Sequence, residues 1–138
     1  MLDKLFAPYA GVGELILRLA LGITFIAHGW GKLNSPAGFA GFLKQIRVPV
    51  PLLSAWLVAL LETGGAVLLI LGLATRLLAL GLAIDMLVAL LIVRVGKAPF
   101  VSGPQGSGWD FEFLLLVTAF ALVFTGAGRF ALDAHLGL

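Results

Sequence analysis

Glu62, Asp85 and Glu112 are carboxylates set in, or at the edge of, long runs of Leu, Val, Ala and Gly, and Arg18 and His28 lie in a further run of the same kind. A charge at the centre of a membrane helix costs about 2.5–3.5 kcal/mol on insertion scales, so such groups turn toward protein or water and find partners. Three carboxylates facing one fixed guanidinium do not balance. One can pair with Arg18, while another holds a proton or meets a cation or His28. That is the chemistry of proton exchange. The same residues can equally form a structural ion-pair network that fixes helix register, since such networks also perturb titration. Glu14 stands four residues before Arg18, the favourable acid-before-base order on a helix.

Of 138 residues, 61% are hydrophobic and 12% are charged, with a mean hydropathy of +1.12. Soluble domains have about 45–50% apolar and about 25% charged residues, and a chain this short cannot hide so much apolar surface in one aqueous core. The expected partner is therefore the lipid bilayer. A net charge of +2 without a basic run argues against nucleic acid. The absence of cysteine excludes disulfides, iron–sulfur ligation and thiol redox chemistry. The first apolar run contains Glu14 and Arg18 and ends in HGWGKL (28–33) rather than a small-residue cleavage site, so it is expected to be a retained helix.

Four segments approach the roughly 20 apolar residues that cross a bilayer as helix, at approximately 13–32, 51–73, 75–95 and 110–126. Backbone groups in lipid must bond within their own segment, so each is expected to be helical. The expected fold is all-α, an integral-membrane antiparallel four-helix bundle that uses 1–138 as one domain. Phe39, Phe42, Leu43 and Ile46 recur at helical spacing in the link 33–50 and predict a short amphipathic helix at the interface. Gly72 to Thr75 predicts a tight hairpin between the second and third spans, and 96–108 a flexible loop. Lys32, Lys44, Arg47, Arg94 and Lys97 on the loop face outnumber Lys4, Arg76 and Arg129 on the other, which favours termini outside.

Glu62 shares a helical stripe with Ala55, Ala59 and Ala66, and Asp85 shares one with Gly81 and Ala89. Small residues mark close helix approach, so both carboxylates are expected to face the interior. Threading at about 1.5 Å per residue places Arg18 toward the terminus end, Glu62 and Asp85 centrally, and His28 with Glu112 toward the loop end. The expectation is one continuous polar column. At its mouth His28 and Glu112 lie within direct or water-bridged reach, with Lys32, Trp30 and Trp109 at the periphery. Glu62 and Asp85 relay, and Arg18 is the counter-charge. A haem between helices would want more histidines than His28, the only one in a span. A metal site from His28, Glu112 and Met86 has no ligand-spacing signature, so no metal is expected.

Four stretches together carry a resemblance: HGWGKL at 28–33, ETGGAVLLILGLATRLLAL at 62–80, GWDFEFLLL at 108–116 and TGAGRFALD at 125–133. In this order and spacing the chain resembles the DoxX family of small four-helix membrane proteins. It departs from the family pattern at Ala131, often Ser there, and in SGWDFE, usually Gly-Gly-x-Glu. The matching residues are His28, Lys32, Glu62, Gly65, Arg76, Glu112 and Arg129. The resemblance implies association with oxidoreductases, including quinone-linked ones, or a role in assembly. The expected function is a membrane subunit of an oxidoreductase complex, in the bacterial cytoplasmic membrane, that interacts with quinone through His28 and Glu112. No covalently bound cofactor is expected, electrons come from a protein partner, and the chain can also self-associate. A transporter or permeation protein, or a non-catalytic scaffold, are the alternatives.

Overall fold

Proline at the first turn of a helix sacrifices no hydrogen bond, and Pro36 and Pro51 each open one. The computed structural model describes residues 2–104 and 106–137. Its helices are α1 (Leu2–Phe6), α2 (Ala10–Asn34), α3 (Pro36–Gln45), α4 (Pro51–Leu60), α5 (Ala66–Leu71), α6 (Thr75–Ala89), α7 (Asp110–Thr125) and α8 (Leu132–Leu136). A π-helical turn, Leu61–Gly65, joins α4 to α5, and a second, Leu90–Arg94, continues α6. Among the described residues the β structure is an isolated bridge between Gly103 and Gly106. The molecule is all-helical.

Three continuous helical segments among the described residues are long and apolar enough to cross a membrane: Gly11–Asn34, Pro51–Leu71 and Thr75–Arg94. The fourth expected span is shorter. Helix α7 has 16 residues, about 24 Å at 1.5 Å per residue, against a hydrocarbon core of about 30 Å. Gly126, at φ 80°, ends it. The predicted interfacial helix is α3, with Leu43 buried, Phe39 and Ile46 half-buried and Phe42 exposed. It packs along α4, while α6 runs along α7 and α2 along α5 and the first π turn. The core between these helices is built from Leu21, Phe25, Ala66, Leu69, Leu82, Ala119 and Leu122, with neighbours at its rim.

The hairpin between α5 and α6 is held from outside. Gly72 takes the left-handed conformation at φ 72°, which glycine adopts without strain. A Cβ there would run into Arg18 Nη1 and Ala131. Asp133 then clamps the start of α6: its carboxylate accepts from Ala74 N at 2.7 Å and Thr75 N at 2.9 Å, and its own N–H donates to Gly72 O. Burial opposes ionisation of Asp133. The N–H groups of Thr75 and Ala74 and the nearby Arg18 charge outweigh it and hold the carboxyl below its ordinary 3.8. A carboxyl lowered on folding stabilises fully above its ordinary value, and that stabilisation is lost as pH falls through the folded value. Acidification below pH 3.8 is therefore expected to lower the melting temperature of the wild type more than that of Asp133→Asn. Circular dichroism melts of both proteins from pH 6 downward check this, and parallel curves would remove Asp133 from the acid response.

Candidate functional site

The interior charges fall into two clusters, not one column. Along α2, Arg18 and Lys32 are about 21 Å apart at 1.5 Å per residue. Between their levels four helices contribute apolar side chains: Leu21 and Phe25 from α2, Ala66 and Leu69 from α5, Leu82 from α6, Leu115 and Leu122 from α7. Arg18 is fully buried, yet among the described residues it meets no carboxylate at ion-pair distance. It donates to the Ile70 carbonyl at 2.9 Å, to Phe130 at 2.7 Å and, at 3.5 Å, to Leu69. The expected counter-charge of the central carboxylates is thus a clasp between α5 and the chain after α7. The reason lies in the C-terminal end of α5, where left-over helix carbonyls need donors and one guanidinium supplies several.

The partner of Glu62 is Lys32. The Lys32 ammonium and Glu62 Oε2 are 2.5 Å apart, with the Glu62 side chain 0% exposed. Lys32, expected at the periphery, is central. Two local features bring them together. The π turn bonds Ala66 N to Leu61 O, which adds a residue to the turn and resets the direction of the side chains, a device that concentrates at functional sites. Against it lies Gly29 of α2, where a Cβ would stand 2.7 Å from Glu62 Cβ and 2.9 Å from Thr63 Cγ2. Gly29→Ala is therefore expected to cost about 1–3 kcal/mol through overpacking, read as a fall in melting temperature. An unchanged melt would mean that the α2 contact is loose.

Asp85 on α6 faces both the Glu62 carboxylate and the Lys32 ammonium. Glu62 Oε1 and Asp85 Oδ2 are buried and have no partner among the described protein groups. Two carboxylates with one ammonium are a positive charge short, which a proton can supply. The stripe residues Gly81 and Ala89 flank Asp85 on the wall of the same cavity, whose volume is about 590 Å³.

Glu112 and His28 also line that cavity, but they do not bond to each other. Glu112 Oε1 accepts from Arg94 Nε at 2.8 Å and lies 2.7 Å from Nη2, while the His28 ring packs on Phe111 at 5.6 Å between centroids. The direct His28–Glu112 bond is displaced by an arginine that carries a full charge and two well-placed donors. Arg94 is the last residue of the second π turn, closed by Val95 N on Leu90 O at 2.8 Å. The sequence placed Arg94 only among the basic residues of the loop face. Its position at the loop end of α6, opposite the first turn of the antiparallel α7, was the available signal. With Lys32 and Arg94 turned inward, the loop-face excess of basic residues becomes three against three.

The aromatic periphery is different from the expected one. Trp30 is 59% exposed and outside the cavity lining, and Trp109 packs in the loop with Phe100 at 4.5 Å and with Phe113. The cavity is roofed instead by α3, through Phe39, Phe42 and Leu43. The Phe39 ring sits 5.1 Å from the Lys32 ammonium, a cation–π contact. Cavities of roughly 300–1,000 Å³ with apolar walls and a few polar groups are the usual form of small-molecule sites. Here the ionisable groups are His28, Lys32, Glu62, Asp85, Arg94 and Glu112, with Ser54 as a further polar residue.

Comparison with known proteins adds a lineage. A family model described as DoxX matches residues 5–95. A Bacillus subtilis (strain 168) protein named "Putative oxidoreductase CatD" is 35% identical over 88% of this chain and 85% of its own length. Escherichia coli (strain K12) "Inner membrane protein YqjF" is 32% identical over 88% of this chain and 90% of its own. An "Uncharacterized protein" of Haemophilus influenzae (strain ATCC 51907 / DSM 11121 / KW20 / Rd) is 32% identical over 85% of each. No solved structure matches.

Proposed function

The chain belongs to the DoxX family of membrane proteins, and from that premise we propose that it is the membrane subunit of an oxidoreductase complex, holding a quinone-class molecule in the α3-roofed cavity. The observation that carries this reading is the cavity itself, with apolar walls and, on its lining, two carboxylates that each keep one buried oxygen without a donor among the described residues. The name of the Bacillus subtilis relative points the same way. In this reading α7 is the fourth span of an antiparallel four-helix bundle, with the bilayer thinning slightly to meet its shorter length.

A bound quinone would supply two-electron chemistry that takes up or releases protons. The chain's own part is to bind, orient and move the proton. His28, Lys32 and Arg94 offer donors to carbonyl oxygens, and Glu62 with Asp85 offers acceptors to hydroxyls. A proton shared between Glu62 and Asp85 makes up their missing positive charge and is the one to exchange. Electrons come from a protein partner, because the chain has no cysteine and only two histidines. The apolar layer between the two charge clusters disfavours the permeation alternative, which needs a wet path through the whole column.

The test is photolabelling of the detergent-purified protein with an azido-quinone, followed by peptide mapping. Label is expected on the roof at 39–48 and the wall at 84–94, and unlabelled quinone should compete it away. Label spread over outward-facing residues such as Leu77 and Phe124, without competition, would refute the reading.

A further inference from the structure

The cavity's charge balance suits a cationic ligand as well as a neutral one. Lys32 and Arg94 face it with two positive charges, and Glu62, Asp85 and Glu112 with three negative ones. Arg94 and Glu112 satisfy each other at 2.7 Å, and Lys32 takes one oxygen of Glu62. What is left is one negative charge, on two carboxylates whose free oxygens are buried. His28 is the remaining titratable group on the lining, and no charged group of α3 reaches it. The walls carry the rings of Phe25, Phe39, Phe42 and Phe111, and Phe39 already holds a cation at 5.1 Å. Aromatic faces attract cations, most strongly where water is excluded.

Most of the exposed part of the cavity lining is apolar. Leu57, Ile84 and Val88 line the cavity and are also 60%, 53% and 43% exposed, so the outer wall is formed by side chains on the apolar surface of α4 and α6. Contact between those two helices is slight. A ligand dissolved in the bilayer interface reaches the carboxylates without crossing the polar loops.

We infer that this cavity binds lipophilic cations, namely organic ammonium or phosphonium ions with apolar substituents, in exchange for the proton on the Glu62–Asp85 pair. This inference rests on the same carboxylates as the proposed proton exchange but does not require a quinone. The cation places its charge against the Glu62–Asp85 pair on the lining and its substituents against the phenylalanines. One positive charge enters and one proton leaves, so the cavity keeps its charge.

The probe is tetraphenylphosphonium, added to the full chain in mild detergent and followed by titration calorimetry in buffers of different ionisation enthalpy. Binding is expected to tighten with pH, by up to about tenfold per unit where the pair is protonated, with one proton released per cation. Asp85→Asn is expected to weaken binding more than tenfold and to abolish both the pH dependence and the proton release. Binding that releases no proton, or is unchanged in Asp85→Asn, would overturn the inference. Should Asp85→Asn fail to give a cooperative melt, the proton count of the wild type decides alone. Competition with the azido-quinone separates the two readings: failure of the cation leaves quinone labelling untouched, and failure of labelling leaves cation-linked proton release untouched.

Discussion

Lys32→Met is expected to destabilise the protein by about 3–5 kcal/mol, because it leaves the fully buried Glu62 without its counter-charge. The reverse change is milder. Glu62→Gln keeps the shape and hydrogen-bonding capacity of the side chain, and Lys32, 27% exposed at its side chain, can turn its ammonium toward water. The double variant is therefore expected to be more stable than Lys32→Met alone, and the cycle isolates the coupling between the pair. Reversible thermal or denaturant unfolding in one detergent measures all four proteins. A Lys32→Met protein within about 1 kcal/mol of wild type would show that the contact contributes no net stability, as many exposed ion pairs do not. The same Glu62→Gln protein separates mechanism from glue. If its melt is intact and its proton exchange is lost, the carboxyl works as a titrating group. A large fall in melting temperature with proton exchange preserved assigns Glu62 to structure.

Much of this was legible in the residues, and what was not has a common cause. Hydropathy located the three long spans within two residues of their ends, because lipid enforces helix wherever the apolar run is long enough. The stripes of Ala55, Ala59 and Ala66, all fully buried, correctly turned Glu62 inward. Phe39, Leu43 and Ile46 gave the buried face of α3. Partner choice was the part that failed. A regular 3.6-residue phase cannot show where a π turn adds a residue, and both interior ion pairs use one: Glu62 in the first and Arg94 in the second. Lys32 was expected at the periphery of the site and Arg94 only among the basic residues of the loop face, where long cationic side chains commonly run outward to water. Here each runs inward to a carboxylate. The role of Arg18 was hidden for a different reason. Its acceptors are backbone carbonyls, which every residue has, so no side-chain pattern announces them. The motif TGAGRFALD was visible as a motif, but its work as a clamp on the α5–α6 hairpin, through Phe130 O and Asp133, needs the chain to fold back over 50 residues of sequence separation.

Arg18→Met is the complementary experiment, and it is expected to loosen the opposite end of the molecule. The guanidinium makes two short charge-assisted bonds, to Ile70 O and Phe130 O, each worth about 1.5–3 kcal/mol. Their loss should cost about 3–6 kcal/mol and leave two carbonyls unsatisfied where no water replaces the donor. Lysine cannot restore this, because one ammonium on a flexible stem does not span two carbonyls from different segments as the planar fork does. The segment that closes over Arg18 should then open first. Limited proteolysis is expected to cut near 126–137 in Arg18→Met and Arg18→Lys while the three spans stay protected. The cavity should be indifferent to the change, since Leu21, Phe25, Leu69, Leu82 and Leu122 separate the two clusters. Azido-quinone labelling and cation-linked proton release should therefore match the wild type. The stability losses of Arg18→Met and Lys32→Met should likewise add to within about 0.5 kcal/mol, as they do for sites that share no partners. Strong non-additivity, or loss of cavity binding in Arg18→Met with the spans still folded, would mean that the apolar layer transmits between the clusters and that the charges act as one column after all.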